Sequence, residues 1–79
     1  MGLSDLPLAS GRAHQRVFEA LGWVLRRDGE HVVLTHSNHF GVTLSLPNHK
    51  EVRRRGTLHS IVRSAGLADK QYRNLFENL

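Results

Sequence analysis

Between Phe40 and Leu46 the chain alternates strictly, with Phe40, Val42, Leu44 and Leu46 on one side and Gly41, Thr43 and Ser45 on the other. A period of two puts all four large apolar side chains on one face of an extended strand. That face must be covered, and its reverse need not be. Upstream, Trp23 to Arg27 is aromatic and branched enough to be a first strand, and Glu30 to His36 a second. Asp28-Gly29 between them suits a type I′ hairpin turn, whose two central residues take positive φ. In the second strand Val32 and Leu34 make one face, and His31, Val33 and Thr35 the other. If Val32 and Leu34 join the Phe40 face, His31 stands on the uncovered face, near Thr43 or Ser45.

Helical spacing supplies the cover. Ser10 is placed to cap a first helix, in which Ala13, Val17, Ala20 and Leu21 recur on one side and Phe18 widens the stripe. Arg12, Gln15, Arg16 and Glu19 fall on the opposite side, and Gly22 suits the stop. Pro47 ends the third strand. Thr57 is placed to cap a second helix carrying Leu58, Ile61, Val62 and Ala65, which Gly66 stops. Asp69 to Leu79 reads as a terminal helix with Tyr72, Leu75, Phe76 and Leu79 at packing spacing. Trp23 and Phe40 are expected in the core. The order helix, three antiparallel strands, helix, helix is an α+β layer structure, one domain over residues 1–79 with one sheet face left open.

Charge is concentrated in one place. Lys50, Arg53, Arg54, Arg55 and Arg63 lie within 14 residues whose only acid is Glu51, so this stretch holds the whole formal net charge of +4. Three consecutive arginines favour planar, bidentate contact with phosphate, and the helix start at Gly56-Thr57-Leu58 would add free N–H groups. Such a run points to a polyanion. The chain has no cysteine, which excludes disulfides, thiolate metal sites and a thiol nucleophile. It shows no signal peptide and no spanning segment, so a cytoplasmic location without membrane contact is expected. The six histidines, His14, His31, His36, His39, His49 and His59, lack the spacing of a metal site, and no metal or other cofactor is expected. His36 and His39 read as polar hairpin residues. No nucleophile elbow, phosphate loop or dinucleotide fingerprint is present. His31, on the open face, can give and take protons near neutral pH.

Several pieces of the chain, taken in order, resemble the HicA toxin family (YcfA-like proteins). They are Leu21-Gly22-Trp23, Arg27-Asp28-Gly29-Glu30-His31, Val42 to Pro47, His49, Gly56-Thr57-Leu58 with Ile61, and Ala65-Gly66-Leu67. The resemblance implies a fold like that of double-stranded-RNA-binding domains, ribosome-independent cleavage of mRNA, and neutralisation by a HicB-type antitoxin. It also implies that His31 is catalytic, because Gly29-Glu30-His31 matches the family's Gly-Ser-His. Glu30 departs from the serine, bringing a negative charge that repels a phosphodiester. The expectation is an endoribonuclease toxin in which His31 works while Lys50, Arg53, Arg54, Arg55, Thr57 and Arg63 hold RNA. The alternatives are a non-catalytic RNA-binding module of the same fold, or a domain whose main task is to bind the HicB-type partner.

Overall fold

The computed structural model describes residues 6–79. Helix α1 (Gly11–Ala20) leads into strands β1 (Val24–Asp28), β2 (His31–Thr35) and β3 (Thr43–Pro47), followed by helices α2 (His59–Ser64) and α3 (Asp69–Glu77). The strands form one antiparallel sheet in the order β1-β2-β3. Val32 pairs with Leu46 and Leu34 with Leu44, and all four are buried under the helices. Val17 and Phe18 from α1, Leu58, Ile61 and Val62 from the α2 region, and Tyr72 from α3 join this core, with Leu6, Trp23, Val52 and Ala65. Each such side chain taken out of water contributes roughly 1.5–3 kcal/mol before conformational entropy is counted.

Local signals set the ends of α1. The Ser10 hydroxyl accepts the Ala13 N–H at 3.4 Å, and Gly22 takes φ +99° just past the last turn. The buried side of this helix differs from the expected stripe. His14 and Gln15 are buried, whereas Ala20 is exposed and Ala13 only half-buried. The reason is α3, which crosses α1 and brings Tyr72 to His14, with 2.6 Å between the phenol oxygen and Nδ1. In α3 itself Tyr72 is fully buried and Leu75 and Phe76 partly so, but Leu79 is exposed beyond the last turn.

Burial lowers the pKa of His14 from 6.5 to about 4, offset in part by the Ala9 backbone. Burial likewise raises the Tyr72 phenol above its ordinary value. The folded protein keeps His14 neutral, while the unfolded chain protonates it below pH 6.5. Between pH 6.5 and 4 the unfolded state therefore holds the extra proton, and stability falls as the pH falls. The loss from this one group is about 3 kcal/mol at full extent. Urea midpoints measured at pH 7.5 and 4.5 should show this drop in the parent and a shallower one in His14→Leu. Equal slopes in the two would refute it.

Three other expectations are corrected. The Asp28-Gly29 turn is not type I′, since neither residue has positive φ. Asp28 instead pairs with Val32, and Gly29-Glu30 connects it to His31, which opens β2 paired with β3 alone. Phe40 is 99% exposed and lies outside β3, which starts only at Thr43. The loop turns at His39 N–H to His36 O and at Val42 N–H to His39 O, leaving Phe40 at its tip. The place beside Trp23, which is buried as expected, is filled by His39 stacked at 5.0 Å and His36 edge-on at 5.3 Å. Those two histidines are thus packing residues. His36 also donates Nε2–H to the Leu21 carbonyl, and its Nδ1 accepts the Asn38 N–H. Finally, Thr57 caps no helix. Arg54–Leu58 forms a wide turn closed by Leu58 N–H to Arg53 O at 2.8 Å, and α2 starts at His59 without a side-chain cap.

Candidate active site

The end of the β2–β3 pair is fastened by Asn48. This buried side chain donates Nδ2–H to Asp28 Oδ1 at 2.9 Å and to the Gly29 carbonyl at 2.7 Å. Its backbone N–H donates to the Glu30 carbonyl at 3.1 Å. One asparagine thereby joins the β1–β2 connection to the chain leaving β3. Asp28 also accepts from Arg12 on α1 at 3.3 Å, tying the same corner to the helix layer. The following segment runs against the chain entering α1, with Gly11 N–H donating to Lys50 O and Val52 N–H to Ala9 O. A Cβ on Gly11 would overlap the Pro47 carbonyl, so only glycine lets α1 come this close.

The backbone fixed in this way presents an open depression of about 180 Å³, lined by Glu30, His31, Pro47, Asn48, His49 and Lys50. His31 opens β2 directly opposite Pro47, and His31, His49 and Lys50 are all exposed. The expected position of His31 on the uncovered face holds, with its partner shifted from Thr43 or Ser45 to Pro47. Glu30 shares the depression because it lies in the connection rather than in the strand. The rule that neighbouring strand residues point to opposite faces does not separate it from His31.

Of the six residues assigned to RNA by sequence, Lys50 alone borders this depression. Arg53, Arg54 and Arg55 are exposed beyond buried Val52, and Arg54 donates towards the Leu6 carbonyl at 3.5 Å. Thr57 is half-buried in the wide turn, and Arg63 is exposed on α2 in the helix layer. In the expected anion cradle at Gly56-Thr57-Leu58, the Leu58 N–H is not free. The Leu58 and His59 N–H groups are already bonded within the wide turn.

The structure adds residues the sequence reading passed over. β1 carries a bulge between Leu25 and Arg27, and Arg26 donates Nε–H to Thr35 Oγ1 at 2.8 Å. Arg27 pairs with Val33, two residues along β2 from His31. Two exposed arginines therefore stand in the β1 edge beside β2. A bulge shifts side-chain alternation by one residue, so no strict period marked them. His49 was visible only as part of a resemblance. Its place in the depression depends on the Asn48 bonds across 19 and 20 residues of chain. Among the described residues no group of three or more histidines or carboxylates is arranged to hold a metal ion, and no helix is long and apolar enough to cross a membrane.

One sheet covered by helices on a single face, with a histidine-bearing depression at a strand end, defines a small α+β domain of the double-stranded-RNA-binding type. The chain matches the family described as HicA toxin of bacterial toxin-antitoxin over residues 11–67, and it belongs to that family. It is accordingly a toxin of a toxin–antitoxin system, and membership implies a HicB-type antitoxin as its partner. A search of curated proteins gave no match. The matched segment holds the whole depression but ends before α3, although α3 supplies buried Tyr72.

Proposed function

We propose that this toxin is an endoribonuclease that cleaves mRNA in the cytoplasm, with His31 as the proton-transfer group. The observation that carries the reading is the shared depression, where exposed His31 and Lys50 border rigid backbone held by Asn48. A phosphodiester seated there has an imidazole for the ribose 2′-hydroxyl or the leaving oxygen. It also has an ammonium for the negative charge that grows on the non-bridging oxygens in the transition state. Arg26 and Arg27 along β1, with Arg53, Arg54 and Arg55 beyond Val52, hold the RNA backbone on either side. Contacts of this kind position the substrate and carry no base specificity.

Glu30 favours a second reading, a module that binds RNA without cleaving it, because its carboxylate lines the same depression and opposes a phosphate. The two separate in one experiment. Expression of the parent should arrest growth, and purified parent protein should fragment mRNA in the absence of ribosomes. RNA that folded protein binds but leaves intact after prolonged incubation would establish the binding module instead.

The arginine run has its own test. Each phosphate contact on single-stranded RNA contributes about 0.7 to the slope of log affinity against log salt. Replacing Arg53, Arg54 and Arg55 together with alanine should flatten that slope by about 2. An unchanged slope would remove them from the interface.

A further inference from the structure

Two histidines border the depression, His31 and His49. His49 is exposed, follows Asn48 directly, and lines the same depression as His31. Its position is set by the same bonds that set His31. Asn48 N–H reaches Glu30 O and Asn48 Nδ2 reaches Gly29 O, while His31 pairs with Pro47 across the sheet. The backbones that carry the two imidazoles are thus held to each other at Glu30 and Asn48, the residues that directly precede them. The other four histidines are elsewhere: His14 in the core, His36 and His39 around Trp23, and His59 beside Asp69.

We infer that His49 is a second catalytic residue, and that His31 and His49 act as an acid–base pair on one phosphodiester. This rests on the proposed RNA cleavage and assigns it a division of labour. One imidazole, neutral, takes the proton of the ribose 2′-hydroxyl as that oxygen forms its bond to phosphorus. The bond from phosphorus to the 5′-oxygen breaks, and the other ring, as imidazolium, gives its proton to the departing oxygen. The products are a 2′,3′-cyclic phosphate and a 5′-hydroxyl end. No oxidant, metal or co-reactant enters, and solvent exchange returns both rings to their starting forms. Lys50, which lines the same depression, supplies positive charge for the non-bridging oxygens.

The test compares the parent with His31→Gln and His49→Gln on an RNA oligonucleotide that the parent cleaves. It then repeats the comparison on the same oligonucleotide with sulfur replacing the 5′-bridging oxygen at the cleaved bond. A thiolate leaves without a proton donor, so it relieves the need for an acid but not for a base. Both side chains are exposed, so both variants should keep the parent's circular dichroism and melting temperature. On ordinary RNA each should be slower by about 100-fold or more. On the sulfur substrate one variant should return to within about tenfold of the parent while the other stays slow. His49→Gln at parental rate on ordinary RNA overturns the inference, as does rescue of both variants or of neither. If His49→Gln is parental while His31→Gln is inactive, cleavage by His31 stands and the pairing alone falls. If both are parental, the assignment of His31 falls too.

Discussion

His31→Gln should lower the turnover of RNA cleavage by about 10²–10⁴-fold, the range a positioned proton-transfer group supplies. Glutamine keeps the size and polarity of the imidazole but cannot exchange a proton near neutral pH. The site of the change is exposed at the start of β2 and its side chain takes part in none of the hydrogen bonds that fasten the corner, so stability should move little. Binding of an RNA with a 2′-deoxy residue at the cleaved position should also be retained, because Lys50 and the arginines are untouched. The result thus splits kcat from affinity. A variant that loses RNA binding in proportion to cleavage would show that His31 holds the substrate. A variant that cleaves at the parental rate would end the assignment. In cells the same substitution should relieve growth arrest while the protein still accumulates.

Gly11→Ala is expected to be strongly damaging. By propensity it should help, since alanine is favoured over glycine in helices by about 1 kcal/mol. Here the added methyl would overlap the backbone carbonyl of Pro47, which cannot rotate aside as a side chain does. Overpacking of this kind costs about 1–3 kcal/mol, or more where backbone must move. The melting temperature should fall by about 10 °C for a domain of this size. The displaced segment carries Asn48, His49 and Lys50, so cleavage should weaken even at temperatures where the variant remains folded. Gly29→Ala is the matched control. A Cβ there meets nothing within 4 Å and its φ is not positive, so stability should stay within about 0.5 kcal/mol of the parent. A Gly11→Ala protein as stable as the Gly29→Ala protein would show that α1 and β3 are not in close contact.

Much of the fold was legible along the chain because it is written in local spacing. Ser10 and Gly22 bracket α1, and Leu58, Ile61, Val62 and Ala65 are all buried as their helical spacing expects. Val32 and Leu34 face Leu44 and Leu46, which fixes the covered side of the sheet and leaves His31 on the other. Where periodicity misled, a contact distant in sequence was responsible. Phe40 extends a perfect alternation, yet His36 and His39 occupy the space by Trp23 and a loop carries Phe40 outward. His14 sits in a helix with polar neighbours, yet Tyr72, 58 residues away, makes it core.

The sequence alone determined the kind of domain, the covered face of its sheet and the histidine left on the open side. These follow from periods of 2 and 3.6 residues, which any short window reveals. Only the tertiary structure decided what surrounds that histidine. It left Arg53, Arg54 and Arg55 outside the depression and set Glu30 and His49 there with Lys50, through the hydrogen bonds of Asn48 and the contact of Gly11 with Pro47. The physical reason is that charge clustering reports proximity along the chain. The depression is built from proximity in space, set here by one buried amide and one missing Cβ.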